Sequence, residues 1–314
     1  MKIAGADLRR FEFDYDLTWY AFLLNADGTI YGRYGGRDAT NAQARLSLTG
    51  LRYAMDRALA AHKNPPAAQP LLGDPIRADA FRAAQTHKGC IHCHNVNEFR
   101  RADAKAAGVW DRDSVWVYPL PENVGVTLDI DVGDRVKAVA PGSAAGRVGL
   151  KPGDRLTRLN GYPVASFADA SYALHKAPAK GAIPVTWLRD GKERSATLEV
   201  SQGWRKTNLT WRPSMLDILP SVPFVGDDLT ADEKKKLGLP AARAAFRQGE
   251  KVHTTLADAG LRPGDVVVGF DRVAVDGSMD ELLGYVRRNY LVGETVTVDV
   301  LRNGKPVGLR WVLK

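Results

Sequence analysis

A long internal repeat constrains this chain more than any other feature. Gly149-Leu150-Lys151-Pro152-Gly153-Asp154 returns as Gly260-Leu261-Arg262-Pro263-Gly264-Asp265, and at the same offset Val164 meets Val275 and Leu174 meets Tyr285. Each copy closes with a hairpin. In the first, Val185-Thr186-Trp187-Leu188-Arg189 turns at Asp190-Gly191; in the second, the run from Val296 to Arg302 turns at Asn303-Gly304. Asp-Gly and Asn-Gly suit a type I′ turn, whose two central residues both need positive φ. A repeat of this length means two copies of one domain, not a solenoid.

Within each copy the order is a small-residue segment, Gly-Leu-x-x-Gly-Asp, an apolar strand, a turn and a short helix. Ala140 to Leu156 followed by Leu159-Asn160-Gly161 closely resembles the PDZ domains attached to bacterial periplasmic serine proteases. The second copy departs at Asp271-Arg272, where Asn-Gly is usual, and its start is stretched by the segment from Leu229 to Leu239. The resemblance implies strand addition: an extended peptide or a protein C-terminus pairs with an open sheet edge, and backbone amides capture its carboxylate. The expected peptide-binding residues of the first copy are Val124, Gly125, Val126 and Thr127 in the glycine loop, with Tyr172 and Leu174 on the helix wall. Those of the second are Phe224, Val225 and Gly226, facing a helix from Met279 to Val286. Gly125 and Gly226 are expected where a side chain would block close backbone approach. A closed groove acting only as a scaffold is the alternative for either copy. No Gly-x-Ser-x-Gly is present, and Ser143 and Ser171 fall inside PDZ elements, so no hydrolase constellation is expected.

With 314 residues, two or three domains are expected at roughly 100–200 residues each. The net charge of +8 comes from Lys and Arg spread along the chain, with no nucleic-acid motif among them. The densest run, Lys234-Lys235-Lys236, follows Asp232-Glu233 and reads as a solvated helix face. No transmembrane segment is expected, because no run of about 18 apolar residues occurs.

Both cysteines of the chain fall in Cys90-Ile91-His92-Cys93-His94. Two thiols one helical turn apart, followed by His, fit covalent attachment of one haem c, with His94 as the iron ligand. The flanking Lys88-Gly89 and Asn95-Val96-Asn97 resemble the haem helix of small class I cytochromes c. Met215 is a candidate sixth ligand, with His87, His62 or an open position as alternatives. The cluster His87, Cys90, His92, Cys93 and His94 also suits zinc or copper, and Cys90 with Cys93 could be a redox dithiol. Met1 to Asp7 holds no apolar signal core, although haem c is attached outside the cytoplasm. The start is therefore expected to be truncated, with a periplasmic or otherwise exported location, or the protein is cytoplasmic if Met1 is the true start.

Residues 11–34 read as strands joined at Asp27-Gly28, and Leu48, Leu51, Met55 and Leu59 recur at helical spacing. This order resembles the C-terminal half of a thioredoxin fold, but the strand and Cys-x-x-Cys helix that should come first are missing, so no thioredoxin-type catalysis is expected from this segment. A helix is expected over 77–86 and another over 97–107. Gly203 to Arg212 repeats Trp-Arg and reads as interdomain packing, with a haem edge as the alternative.

The expected fold class is α+β. It comprises a partial thioredoxin-like segment of βββα type (1–63), a Pro-rich linker (64–75) and a helical Cys-x-x-Cys-His segment (76–120). Two PDZ-like partly open β-barrels with short helices (121–202 and 221–314) follow, joined by a Trp/Arg-rich connector (203–220). The expected function is an exported haem-c redox or sensor protein that docks peptides and possibly a redox partner. Alternatives are a PDZ scaffold with a zinc or copper site, and a thiol-disulfide protein.

Overall fold

The computed structural model describes residues 3–65 and 73–314. The Pro-rich linker expected over 64–75 therefore lies largely outside the described residues. Two compact units form, Met1–Thr207 with Trp211–Ser214, and Asn208–Thr210 with Met215–Lys314.

In the first unit, β1 (Tyr20–Leu24) and β2 (Ile30–Gly35) pair antiparallel, as the Asp27-Gly28 signal required, with Gly28 at φ +85°. Helix α1 (Leu48–His62) follows, capped by the Ser47 side chain, which accepts from Gly50 N. The helical spacing of the apolar residues was right, and the face that packs inward is the one of small residues. Leu48 and Leu59 are 86% and 63% exposed, while Gly50, Ala54 and Ala58 are buried. The small face wins because the backbone must come close: a Cβ on Gly50 would lie 2.2 Å from Ile130 O.

The helix expected over 77–86 is instead two 3₁₀ turns, Ala78–Ala80 and Arg82–Thr86, broken where Phe81 is extended. The Asp103 carboxylate accepts from the backbone N–H groups of Arg82 and Ala83, which satisfies the start of the second turn without helix continuity. Helix α2 (Asn95–Ala106) then matches expectation within two residues.

The first repeat comprises β3 (Val126–Leu128), β4 (Val136–Val139), α3 (Ala144–Arg147), β5 (Arg155–Leu159), β6 (Tyr162–Pro163), α4 (Phe167–His175), β7 (Gly181–Arg189) and β8 (Lys192–Val200). Strands β3 and β4 form one open sheet, and β6-β5-β7-β8 another. Leu156, Leu159, Ile183, Val185, Trp187 and Leu198 alternate inward from the strands and close on Ala170, Ala173 and Leu174 of α4.

The second repeat comprises β9 (Gly226–Asp228), α5 (Ala231–Lys236), β10 (Phe246–Gln248), α6 (Thr254–Asp258), β11 (Val266–Phe270), α7 (Met279–Asn289), β12 (Thr295–Arg302) and β13 (Lys305–Val312). Its sheet runs β13-β12-β11-β10-β9, which leaves β9 at an edge. Phe224 packs edge-on against Phe246, Phe270 and Trp311 in the core. Both hairpin turns have the expected positive φ, at Asp190 and Gly191 and at Asn303 and Gly304. One reading of α5 needs correction: Lys234 is only 9% exposed and donates to Ala241 O, so the lysine run is not wholly a solvated face.

Candidate peptide clefts and the Cys-x-x-Cys-His segment

Each repeat sets a short edge strand near a helix. In the second, Val225 O and Leu229 N are bonded to Gly249 N and Ala245 O on the β10 side. Antiparallel ladders alternate, so Gly226 and Asp228 turn their own N–H and C=O to the open edge. Helix α7 is tied to that strand by Met279 N, which donates to Asp228 Oδ1 at 2.7 Å. Gly226 has no positive φ; its role is contact, because a Cβ there would lie 2.2 Å from Arg247 O. Val225, in the loop before β9, is 57% exposed, whereas Phe224 is a core residue and meets no open cleft.

In the first repeat, Gly125 O accepts from Ala140 N, so by the same alternation Val126 and Leu128 present their backbone to the outer edge. Gly125 has φ +90°, and a Cβ there would meet the Ser143 side chain at about 2 Å. Ser143 itself caps α3, accepting from Gly146 N and donating to Ala140 O.

The helix wall differs from expectation. Leu174 is wholly in the core, and Tyr172 is covered by the Arg33 guanidinium, 3.7 Å from its ring centroid. The stripe of α4 beside the core is Phe167, Ser171 and His175, at i, i+4 and i+8. Ser171 donates to Pro119 O, and His175 stacks on Tyr118 with ring centroids 4.2 Å apart.

The Cys-x-x-Cys-His segment precedes α2 rather than lying on it, since that helix begins at Asn95. Cys90 is exposed and Cys93 half-buried, both as free thiols. Burial pushes the Cys93 thiol above its ordinary range, the opposite of what a nucleophilic thiol needs. His94 Nδ1 lies 2.7 Å from Glu98 Oε1, and the His92 and His94 rings stack. Cys93, His92 and His94 border a cavity of about 490 Å³, whose other walls include Phe11, Phe13 and Trp19. Among the described residues, no three His, Cys, Asp or Glu side chains are grouped to hold a metal ion. Met215 is buried in the second unit.

The Trp/Arg segment has a structural role that the spacing of its residues did not reveal. Arg212 is buried and donates to Asp14 Oδ1 at 2.6 Å, to Asp16 Oδ2 at 3.1 Å and to Val117 O at 3.0 Å. Asp16 also accepts from the backbone and hydroxyl of Ser214, both at 2.8 Å.

Two PDZ-domain family models match the chain, at residues 135–189 and 240–311. The chain carries two PDZ domains in tandem. Curated relatives include the periplasmic serine endoprotease DegP of Escherichia coli K12, 30% identical over 148 residues, which are 47% of this chain and 28% of that protein. The periplasmic pH-dependent serine endoprotease DegQ of the same organism is 30% identical over 154 residues, 48% of this chain and 30% of that protein. This chain thus spans less than a third of the length of either relative. A solved HtrA-type protease with decapeptide overlays at a TM-score of 0.28 and 18% identity, covering 57% of this chain and 53% of that one.

These relatives correct the haem reading. The relatives this chain matches are periplasmic serine endoproteases, not haem-c redox or sensor proteins, and the cytochrome and electron-transfer roles drop out with that reading. A five-residue motif carries little information beside a homology of this length. No helix among the described residues is long and apolar enough to cross a membrane.

Proposed function

We propose that this chain is an exported, protease-family protein that recognises polypeptide through its tandem PDZ domains. An extended segment or free C-terminus adds as a strand to an edge strand, with the neighbouring helix forming the other wall. The observation that carries this reading is the edge position of β9, with the N–H and C=O groups of Gly226 and Asp228 turned outward beside α7. An unpaired strand edge is a template for another chain. The acidic pair Asp227-Asp228 lies exposed on that strand, which favours basic side chains upstream of the captured end.

The test uses fluorescein-labelled short peptides with randomised, free C-terminal residues, followed by anisotropy on the full chain. Binding is expected, and an amidated pool distinguishes end capture from internal strand addition. Asp228→Pro removes an outward N–H and is expected to abolish binding at the second domain, while Asp228→Ala, which loses the same side chain but keeps that N–H, is expected to retain measurable binding. If neither pool binds the unmodified chain, the proposal fails.

A further inference from the structure

The first PDZ cleft is bridged by the chain's own N-terminal residues. The segment between β2 and α1 is fastened to the helix wall at one side. Gly36 lies so close to Phe167 that a Cβ would come within 2.4 Å of its ring, and the Arg45 guanidinium sits 4.8 Å from the same ring centroid. The same Arg45 donates to Glu122 Oε1 at 2.8 Å, in the loop that leads to Gly125. At the far end of β3, Ser47 donates to Asp131 Oδ1 at 2.7 Å and to Ile130 O at 3.3 Å. Asp38 holds Arg45 from within the segment at 2.9 Å, and Tyr34 Oη donates to Ser47 O at 2.7 Å. One short stretch therefore touches the helix wall, the glycine-loop side and the strand end of a single cleft.

We infer that the strap from Gly36 to Ser47 closes the first PDZ cleft in cis, so that peptide enters there only when the strap lifts. This rests on the peptide-binding reading above. The pins are chiefly charged and partly exposed, so the strap is held by contacts that salt and a competing carboxylate weaken. A peptide C-terminus arriving at the glycine loop brings such a carboxylate next to Arg45. Opening is then coupled to ligand arrival, at the cost of the closed population.

The test silences the second cleft with Asp228→Pro and measures the same free-carboxylate pool on the full chain. Arg45→Ala with Ser47→Ala opens the strap. Ser47→Cys with Asp131→Cys locks it on oxidation, in a background where Cys90 and Cys93 are serine. Circular dichroism checks that each protein is folded. The opened protein is expected to bind about tenfold tighter than the strap-intact one, the factor for a cleft closed about nine-tenths of the time. The oxidised lock is expected to bind nothing and to regain binding on reduction. Equal binding by the opened, intact and locked proteins overturns the inference and leaves peptide recognition standing. Failure of the opened protein to bind, while the chain with native Asp228 binds, also overturns it. If no form binds at all, peptide recognition and the strap fall together.

Discussion

The Asp154 carboxylate is clasped by Arg189, whose Nε and Nη2 donate to its two oxygens at 2.7 Å each, and Arg302 repeats the grip on Asp265 at 2.8 and 2.7 Å. The second guanidinium nitrogen also donates to Gly149 O or Gly260 O at 2.7 Å. Both carboxylates accept in addition from the backbone three residues earlier, at Lys151 or Arg262. This is why the repeated motif ends in Asp: it ties the turn to the last residue of the following hairpin's first strand.

Asp154→Ala is expected to lower the stability of the first unit by about 1–3 kcal/mol, the usual cost of deleting one partner of a charged, buried hydrogen-bond set. Arg189→Lys loses the two-pronged geometry and is expected to recover little of it. Urea denaturation followed by tryptophan fluorescence reads both, and an unchanged midpoint for Asp154→Ala contradicts the account.

Arg212 is paired with two buried carboxylates, Asp14 and Asp16, at 2% exposure of its own side chain. Arg212→Met is expected to cost about 3–5 kcal/mol, because removing the cation leaves Asp14 and Asp16 buried and unpaired. Adding Asp14→Asn to Arg212→Met should return part of that loss, which a double-mutant cycle in thermal melts detects.

Two carboxylates on the contact between the N-terminal residues and α4 respond to pH with opposite signs. Burial raises Asp169 to about 6 despite Arg33 nearby, so its ionised form costs stability once pH rises from 3.8 through about 6. Asp169→Asn is therefore expected to gain on the wild type across that window, by on the order of 3 kcal/mol at most. Burial also pushes Glu12 upward, but the His175 ring 3.8 Å away and the Lys176 ammonium, which donates to it at 2.7 Å, outweigh it and hold the group at about 2. Its contribution is complete above 4.5 and is lost as pH falls toward 2, so the deficit of Glu12→Gln should close in acid. Melting temperatures of the three proteins against pH decide this, and parallel curves refute it.

Arg272 carries a strain that the first repeat avoids. It adopts φ +63° beside Asp271 at +50°, whereas the matching turn in the first repeat is Asn160 at +48° and Gly161 at +80°. Arg272→Gly keeps the backbone bond to Asp299 and is expected to stabilise the second unit by about 0.5–1 kcal/mol. A lower melting temperature for Arg272→Gly is the result that contradicts this.

The amino-acid sequence alone determined what local chemistry can specify. Asp190-Gly191 and Asn303-Gly304 turned as read, because only a few residues tolerate their φ values. The Gly-Leu-x-x-Gly-Asp motif marked both domains, since its glycines and its clasped Asp serve the same bend twice. What a side chain meets across space was decided only by the tertiary structure. The spacing of Leu48, Met55 and Leu59 specified a helix, yet the close approach of Ile130 O to Gly50 turned the smaller face inward. The expected groove wall at Tyr172 lay under Arg33, and Arg45, unmarked by any motif, joined Phe167 to Glu122. Periodicity fixes which residues share a face; only packing against residues remote in the chain settles whether that face is open.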